Sequence, residues 1–262
     1  MAYNFISASS DGAVTTLAIA RSDRLNALTP NVFVELKAAM DEALANGCKA
    51  FVLSGEGRAF SSGADLLPDG AGYEGLPDDL GALLNDHYNP FVQYLMELPA
   101  PLITAINGPA VGAGLSLALA GDISVMARSA YVLLAFVNIG LVPDAGASWM
   151  VAASVGRARA MELALLGEKL SAEEAHAIGL INRVVDDGDV LATAQAIAAK
   201  LAAGPGKAIG MVRKQINAAV ESTLNDVLAI ERDNQRELGF SEDFKEALAA
   251  FDEKRKPQFN GR

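Results

Sequence analysis

Apolar residues recur at helical spacing over 30–46, as Val32, Leu36, Met40 and Leu44, and predict an amphipathic helix. Thr29 stands at its N-cap and Pro30 at its first position. Short runs rich in apolar residues predict strands over 3–7, 13–19, 49–55, 101–106, 122–126, 131–134 and 179–185. The first two are joined by an Asp11-Gly12 turn. Helical pattern returns over 78–98, about 145–153, 188–202, 207–219, 222–238 and 242–254. Ser171-Ala172-Glu173-Glu174 reads as a capping box opening a further short helix. Strands alternating with helices predict an α/β core over 1–186, followed by a helical region over 187–262. Glycine and proline crowd 67–77, which reads as a flap, and the helical segment 78–98 after it could wall a pocket or be only a long surface excursion.

Composition narrows the function classes. The chain has 262 residues, 51% of them hydrophobic, which is enough for a large buried core. Its net charge of −11 argues against nucleic acid, whose phosphates need a basic surface. Cys48 is the single cysteine, and a lone cysteine supports neither an intrachain disulfide nor a cysteine-rich metal site. His87 and His176 are the only histidines and lie far apart in sequence, so neither a metal site nor a Ser-His-Asp triad is expected. The start of the chain lacks a basic segment followed by an apolar one, and the apolar stretch 101–121 is broken at Asn107-Gly108-Pro109. The expectation is a cytoplasmic protein with no membrane partner.

Candidate chemistry gathers after the strands. Gly112, Ala113, Gly114 and Ser116 open a helix directly after the 101–106 run. Small residues there let another group approach the backbone, and the first amides of a helix have no intrahelical partner. The turn therefore suits an anion, or an oxygen that becomes negative during a reaction; tight helix–sheet packing explains the same residues. Gly57-Arg58-Ala59-Phe60-Ser61-Ser62-Gly63-Ala64-Asp65-Leu66 forms a second small-residue loop after a strand. Open α/β sheets place ligands at that end. Asp144 closes an apolar run, Phe136 to Pro143, and reads equally as an N-cap or as a functional carboxylate.

These motifs, in this order, resemble the crotonase (enoyl-CoA hydratase/isomerase) superfamily over essentially the whole chain. The resemblance is carried by Arg24-Leu25-Asn26-Ala27-Leu28, the 57–66 loop, Asn107-Gly108-Pro109-Ala110-Val111-Gly112-Ala113-Gly114 and Gly140-Leu141-Val142-Pro143-Asp144-Ala145-Gly146. It implies a spiral of ββα units, a C-terminal helical region serving trimer assembly, and a homotrimer or a hexamer of two trimers. It also implies an acyl-CoA thioester as substrate, with no separate cofactor and no metal, since coenzyme A is part of that substrate. The amides of Ala64 and Ala113 would hold the thioester oxygen. Ser62, Ala64 and Leu66 would meet the adenine with Arg24 and Leu25 nearby, and Lys254 or Lys256 the phosphates. Gly112, Phe136 and Asn138 are further substrate candidates, Asn138 as an orienting group. The two glutamates of family hydratases match Ser116 and Phe136 here, so hydration lacks both its carboxylates. Pro143-Asp144 instead resembles the phenylacetate-pathway isomerase subgroup, with Asp144 as its acid/base. That implies a 3-enoyl to 2-enoyl shift or ring isomerisation of epoxyphenylacetyl-CoA. The alternatives are a hydratase with its water held otherwise, for example by Ser116; attack by Asp144 on an aryl-CoA; and a non-catalytic acyl-CoA-binding protein.

Overall fold

The computed structural model describes residues 3–68 and 73–261. Residues 69–72 of the expected flap lie outside them. Among the described residues nine strands form two sheets. In the first, the order is β1 (Ile6–Asp11), β2 (Val14–Ile19), β3 (Ala50–Gly55), β4 (Leu102–Ile106), β6 (Ile123–Ala127) and β9 (Arg183–Val185). The second runs β5 (Ala110–Val111), β7 (Tyr131–Leu133), β8 (Leu170–Ser171). Only β1 is antiparallel in the large sheet. Every residue of β3 and β4 is buried, as strands covered on both faces require. Because β2, β3, β4, β6 and β9 run parallel, the loops after them leave from one edge of the sheet.

Among the described residues ten α-helices accompany these strands. They are α1 (Pro30–Ala45), α2 (Leu80–Leu83), α3 (Asn89–Glu97), α4 (Ala113–Leu119), α5 (Ala147–Leu166), α6 (Ala172–Ala177), α7 (Val190–Ala202), α8 (Gly206–Ala219), α9 (Leu224–Leu238) and α10 (Glu242–Asp252). α1 buries Val32, Phe33, Leu36, Ala39 and Met40. α7 lies across β2, β3, β4 and β6, with Val190, Ala194 and Ala198 buried. α8 is tied to the core by Arg213, whose Nε donates to Asp122 at 2.6 Å and whose Nη2 donates to the Leu95 carbonyl at 3.0 Å.

Several expected elements take other bounds. The first strand is Ile6–Asp11 rather than 3–7. It is an edge strand whose Ser7–Ser10 stretch faces solvent, so the apolar signal that marks a buried strand is missing. Asn4 and Phe5 instead donate their amides to the Glu35 carboxylate. Thr29 holds the extended N-cap conformation, but its hydroxyl caps nothing and is buried without a hydrogen-bond partner among the described residues. The 78–98 helix carries a π-helical turn at Leu84–Tyr88 between α2 and α3. The strand expected over 179–185 is confined to Arg183–Val185, because Ile178, Gly179, Leu180 and Ile181 close the end of α6 through bonds to Glu174, Ala175 and His176. The Ser171 capping box is present as expected. The short strands β5 and β8 carry too few residues for a periodic pattern.

Candidate active site

Two loops from the same sheet edge are stitched side by side. Ser61 donates its amide to the Pro109 carbonyl at 3.1 Å and accepts the Val111 amide at 3.0 Å. A side chain at Gly63, which has φ +96, would stand 2.8 Å from the Val111 carbonyl and 3.5 Å from the Ala113 nitrogen. Only glycine allows that approach.

The amide directions follow from this stitching. Leu28 pairs with the second loop by donating to the Gly63 carbonyl at 2.7 Å and accepting from Asp65 at 2.9 Å. In such a parallel bridge the residue between the two bonds, Ala64, turns its own N–H the opposite way. Ala113 is the first residue of α4, so its N–H has no intrahelical acceptor. Among the described residues neither amide is paired within the chain. Both residues line one cavity of about 510 Å³. Small size thus serves both readings of the 112–116 turn, at different residues. Gly114 provides the close packing, and Ala113 provides the free amide. Gly114→Ala would place its Cβ 2.6 Å from the Ser61 carbonyl oxygen. We expect it to cost about 1–3 kcal/mol of stability in urea unfolding, as over-packed cores do. An unchanged midpoint would contradict the close packing of α4 on that loop.

The Ala64 loop is held from behind. Asp65 is buried and receives Arg21 at 2.9 Å on one carboxylate oxygen and Arg24 at 3.0 Å on the other. Arg24 also donates to the carbonyls of Leu67 and Pro68. Arg24, expected beside the nucleotide part of the ligand, is thus bound to the oxyanion loop itself. Leu25 accepts the Ser62 amide at 2.9 Å and adopts φ 50.

Asp144 faces the same cavity. Its carboxylate is not an N-cap. α5 starts at Ala147 with Gly146 in the cap position, and the main-chain carbonyl of Asp144 takes the Ala147 amide at 2.9 Å. The helix expected at about 145–153 begins at Ala147, and a non-helical break at Gly156 separates it from the helical residues that continue to Leu166. One carboxylate oxygen, Oδ1, is buried with no hydrogen-bond partner among the described residues. Burial pushes the Asp144 carboxyl up to about 6, since desolvation disfavours its charged form.

Of the residues expected in the site, Ser62, Ala64, Leu66, Gly112, Ala113, Phe136 and Asp144 line the cavity. Arg24 and Leu25 adjoin its rim through Ser62. Asn138 is exposed and donates to the Gly167 carbonyl at 2.9 Å, away from the lining. Lys254 is exposed just beyond α10. A further wall comes from the segment read either as walling a pocket or as a surface excursion, through Leu76, Leu80, Leu83, Leu84, Tyr88 and Asn89. The spacing of Leu80, Leu83 and Leu84 was visible as a helical stripe, without showing which of its residues face the cavity. Tyr88 is buried, with its ring edge-on to Phe33. Burial foremost, and then its neighbours Tyr73, Asp144 and Asp65, push its phenol above the usual range.

Two unpaired amides and a half-buried carboxylate face one largely apolar cavity on this α/β scaffold, which is that of the crotonase class of enzyme. The chain belongs to the enoyl-CoA hydratase/isomerase family, whose model matches residues 9–262. It is 42% identical to the 1,2-epoxyphenylacetyl-CoA isomerase of Escherichia coli K12, over 98% of this chain and 99% of that one. It is 44% identical to a Rhodobacter capsulatus protein named a probable enoyl-CoA hydratase, over the full length of both. A crystal structure of an enoyl-CoA hydratase subunit I from Geobacillus kaustophilus superposes with a TM-score of 0.91 at 35% identity, covering 99% of each chain. Among the described residues no helix is long and apolar enough to cross a membrane.

Proposed function

We propose that this enzyme is an acyl-CoA isomerase that moves a double bond from the 3,4 to the 2,3 position of an enoyl thioester. The observation that carries this reading is Asp144, a carboxylate facing the cavity, where the two positions that match the glutamates of family hydratases hold Ser116 and Phe136 instead. The thioester oxygen lies between the amides of Ala64 and Ala113. Asp144 takes a proton from C2, and the electron pair passes to the thioester oxygen as a dienolate. The protonated Asp144 then returns the proton at C4; the 3,4 double bond is lost and the 2,3 bond forms. One group serves both steps because its pKa near 6 lets it act as base and then as acid close to neutrality. The E. coli relative supports a close variant in which the acyl group is an epoxide-bearing ring. The apolar wall of Leu80, Leu83 and Leu84 suits either an aliphatic or a ring acyl group. Coenzyme A arrives with the substrate, and we extend the proposal to a trimer assembled through α8–α10, whose Val212, Ile216, Leu224, Leu228 and Phe251 are exposed.

The test is spectroscopic. Purified protein is given 3-hexenoyl-CoA, with 2-hexenoyl-CoA as a hydration control. The expected result is a rise in conjugated enoyl-thioester absorbance with the first and no loss with the second. Rapid loss of the control's absorbance would replace isomerisation with hydration, the activity in the Rhodobacter relative's name.

The pH dependence has a definite sign. The base must be ionised, and its folded pKa is raised to about 6. Isomerase kcat/KM is therefore expected to be flat above that value, half-maximal near pH 6, and to fall about tenfold per unit below it. A profile unchanged down to pH 4.5 would remove Asp144 as the base.

A further inference from the structure

Ser116 lies one turn beyond Ala113 on α4 and is completely buried, without lining the cavity. Its hydroxyl donates a 3.0 Å hydrogen bond to the main-chain carbonyl of Asp144. The competing acceptor in its own helix, the Gly112 carbonyl, is farther away at 3.4 Å. The Asp144 carbonyl therefore has two donors, Ser116 and the Ala147 amide. Between those two anchor points the chain passes through Ala145 at φ 48 and Gly146 at φ 81. The first is a left-handed conformation that a residue with a Cβ adopts only when its surroundings impose it. Ala145 is also buried, so the turn has little freedom to relax.

The helix that presents one oxyanion amide is thus bonded through Ser116 to the turn that presents the carboxylate. We propose that Ser116 is the positioning residue of the acid/base: it sets the approach of the Asp144 carboxylate to the two carbons between which the proton moves. This rests on the assignment of Asp144 as that acid/base. The hydroxyl's single proton is committed to the Asp144 carbonyl, so it is not free to donate to a water, and Ser116 does not line the cavity.

The experiment compares Ser116→Ala, Ser116→Thr and Asp144→Asn with the parent enzyme, using 3-hexenoyl-CoA in D₂O. It reads kcat, KM, melting temperature and the fraction of product carrying solvent deuterium at C4. Ser116→Ala is expected to lower kcat about tenfold to a hundredfold, the size of effect that small misplacements produce, with KM within about twofold. The deuterium fraction rises, because a loosened carboxyl exchanges its proton before returning it. Ser116→Thr, which restores the hydroxyl, recovers kcat. If Ser116→Ala does not fold, Ser116→Ala combined with Ala145→Gly supplies the hydroxyl-free protein, since glycine takes the φ 48 turn without strain. Unchanged kcat and deuterium fraction, even with a lower melting temperature, would overturn the positioning role and leave the acid/base assignment standing. Near-normal turnover by Asp144→Asn would overturn the assignment itself.

Discussion

Asp144→Asn is expected to lower isomerase turnover by about 10³-fold, within the range that positioned general acids and bases contribute. KM should stay close to the parent value. The amide is nearly the size of the carboxyl, and the contacts to the thioester oxygen come from Ala64 and Ala113. Single-turnover absorbance traces would separate this from a binding defect. The same variant should melt higher than the parent at neutral pH. The sign follows from the raised pKa: burial holds the folded carboxyl at about 6 against an ordinary 3.8. The fold thus favours the uncharged form, and stability declines as pH rises from the ordinary value through 6. Asparagine removes that ionisation. A variant that is inactive and also less stable would mean that Asp144 contributes packing or bonding beyond its charge, contrary to its unpartnered Oδ1.

Asp65→Ala should produce the largest loss of stability, about 3–5 kcal/mol, the cost of removing one partner from a buried ion pair. The carboxylate and the Arg21 side chain are each only 6% exposed, and Arg24 converges on the same acid. Without Asp65, two guanidinium groups face each other next to the Ala64 loop. Urea unfolding at pH 7 gives the number. Turnover measured at low temperature, where the variant remains folded, should also fall, because Asp65 follows Ala64, whose amide is proposed to hold the developing oxyanion. Loss of one such donor costs on the order of 10²–10³ in rate. High salt should not reproduce the defect in the parent, since buried pairs are weakly screened. A midpoint equal to the parent's would show that Arg21 and Arg24 are fully satisfied by their backbone acceptors.

Much of the site was legible because its chemistry is carried by backbone features that leave marks in composition. A run of small residues after an apolar run signals a close approach, and both such runs lie against the cavity. Asp144 was visible as a lone carboxylate closing an apolar stretch. Its two readings, cap or chemistry, could not be separated without knowing that α5 begins at Ala147 and not at residue 145. The ion pair of Arg24 was hidden for a related reason. Its partner, Asp65, is distant in sequence and reaches it only through the pairing of Leu28 with Ala64. Of the far wall only the segment was legible, not the residues. Leu80, Leu83 and Leu84 have the pattern of an ordinary core-facing helix, and periodicity does not distinguish a stripe facing protein from one facing a cavity. Tyr88 comes at the end of a π-helical turn, which shifts side chains off the 3.6-residue period used to read them. Ser116 was read as a small residue of the turn and as a group that could hold a water. Its bond to Asp144 depends on a long-range contact between α4 and the turn before α5.

Both groups placed to hold the thioester oxygen are main-chain amides, and this bears on how such a protein changes over generations. A point mutation at position 64 or 113 alters a side chain but leaves the N–H in place, unless it introduces proline. The oxygen-binding function is thereby buffered against most single-codon changes, while Leu80, Leu83, Leu84 and Asn89, on a separate helical segment, are free to vary. Descendants of one ancestor can then diverge in the acyl group they accept while inheriting the same enolate chemistry. A mutational library confined to 76–89 should accordingly yield altered acyl preference far more often than loss of catalysis.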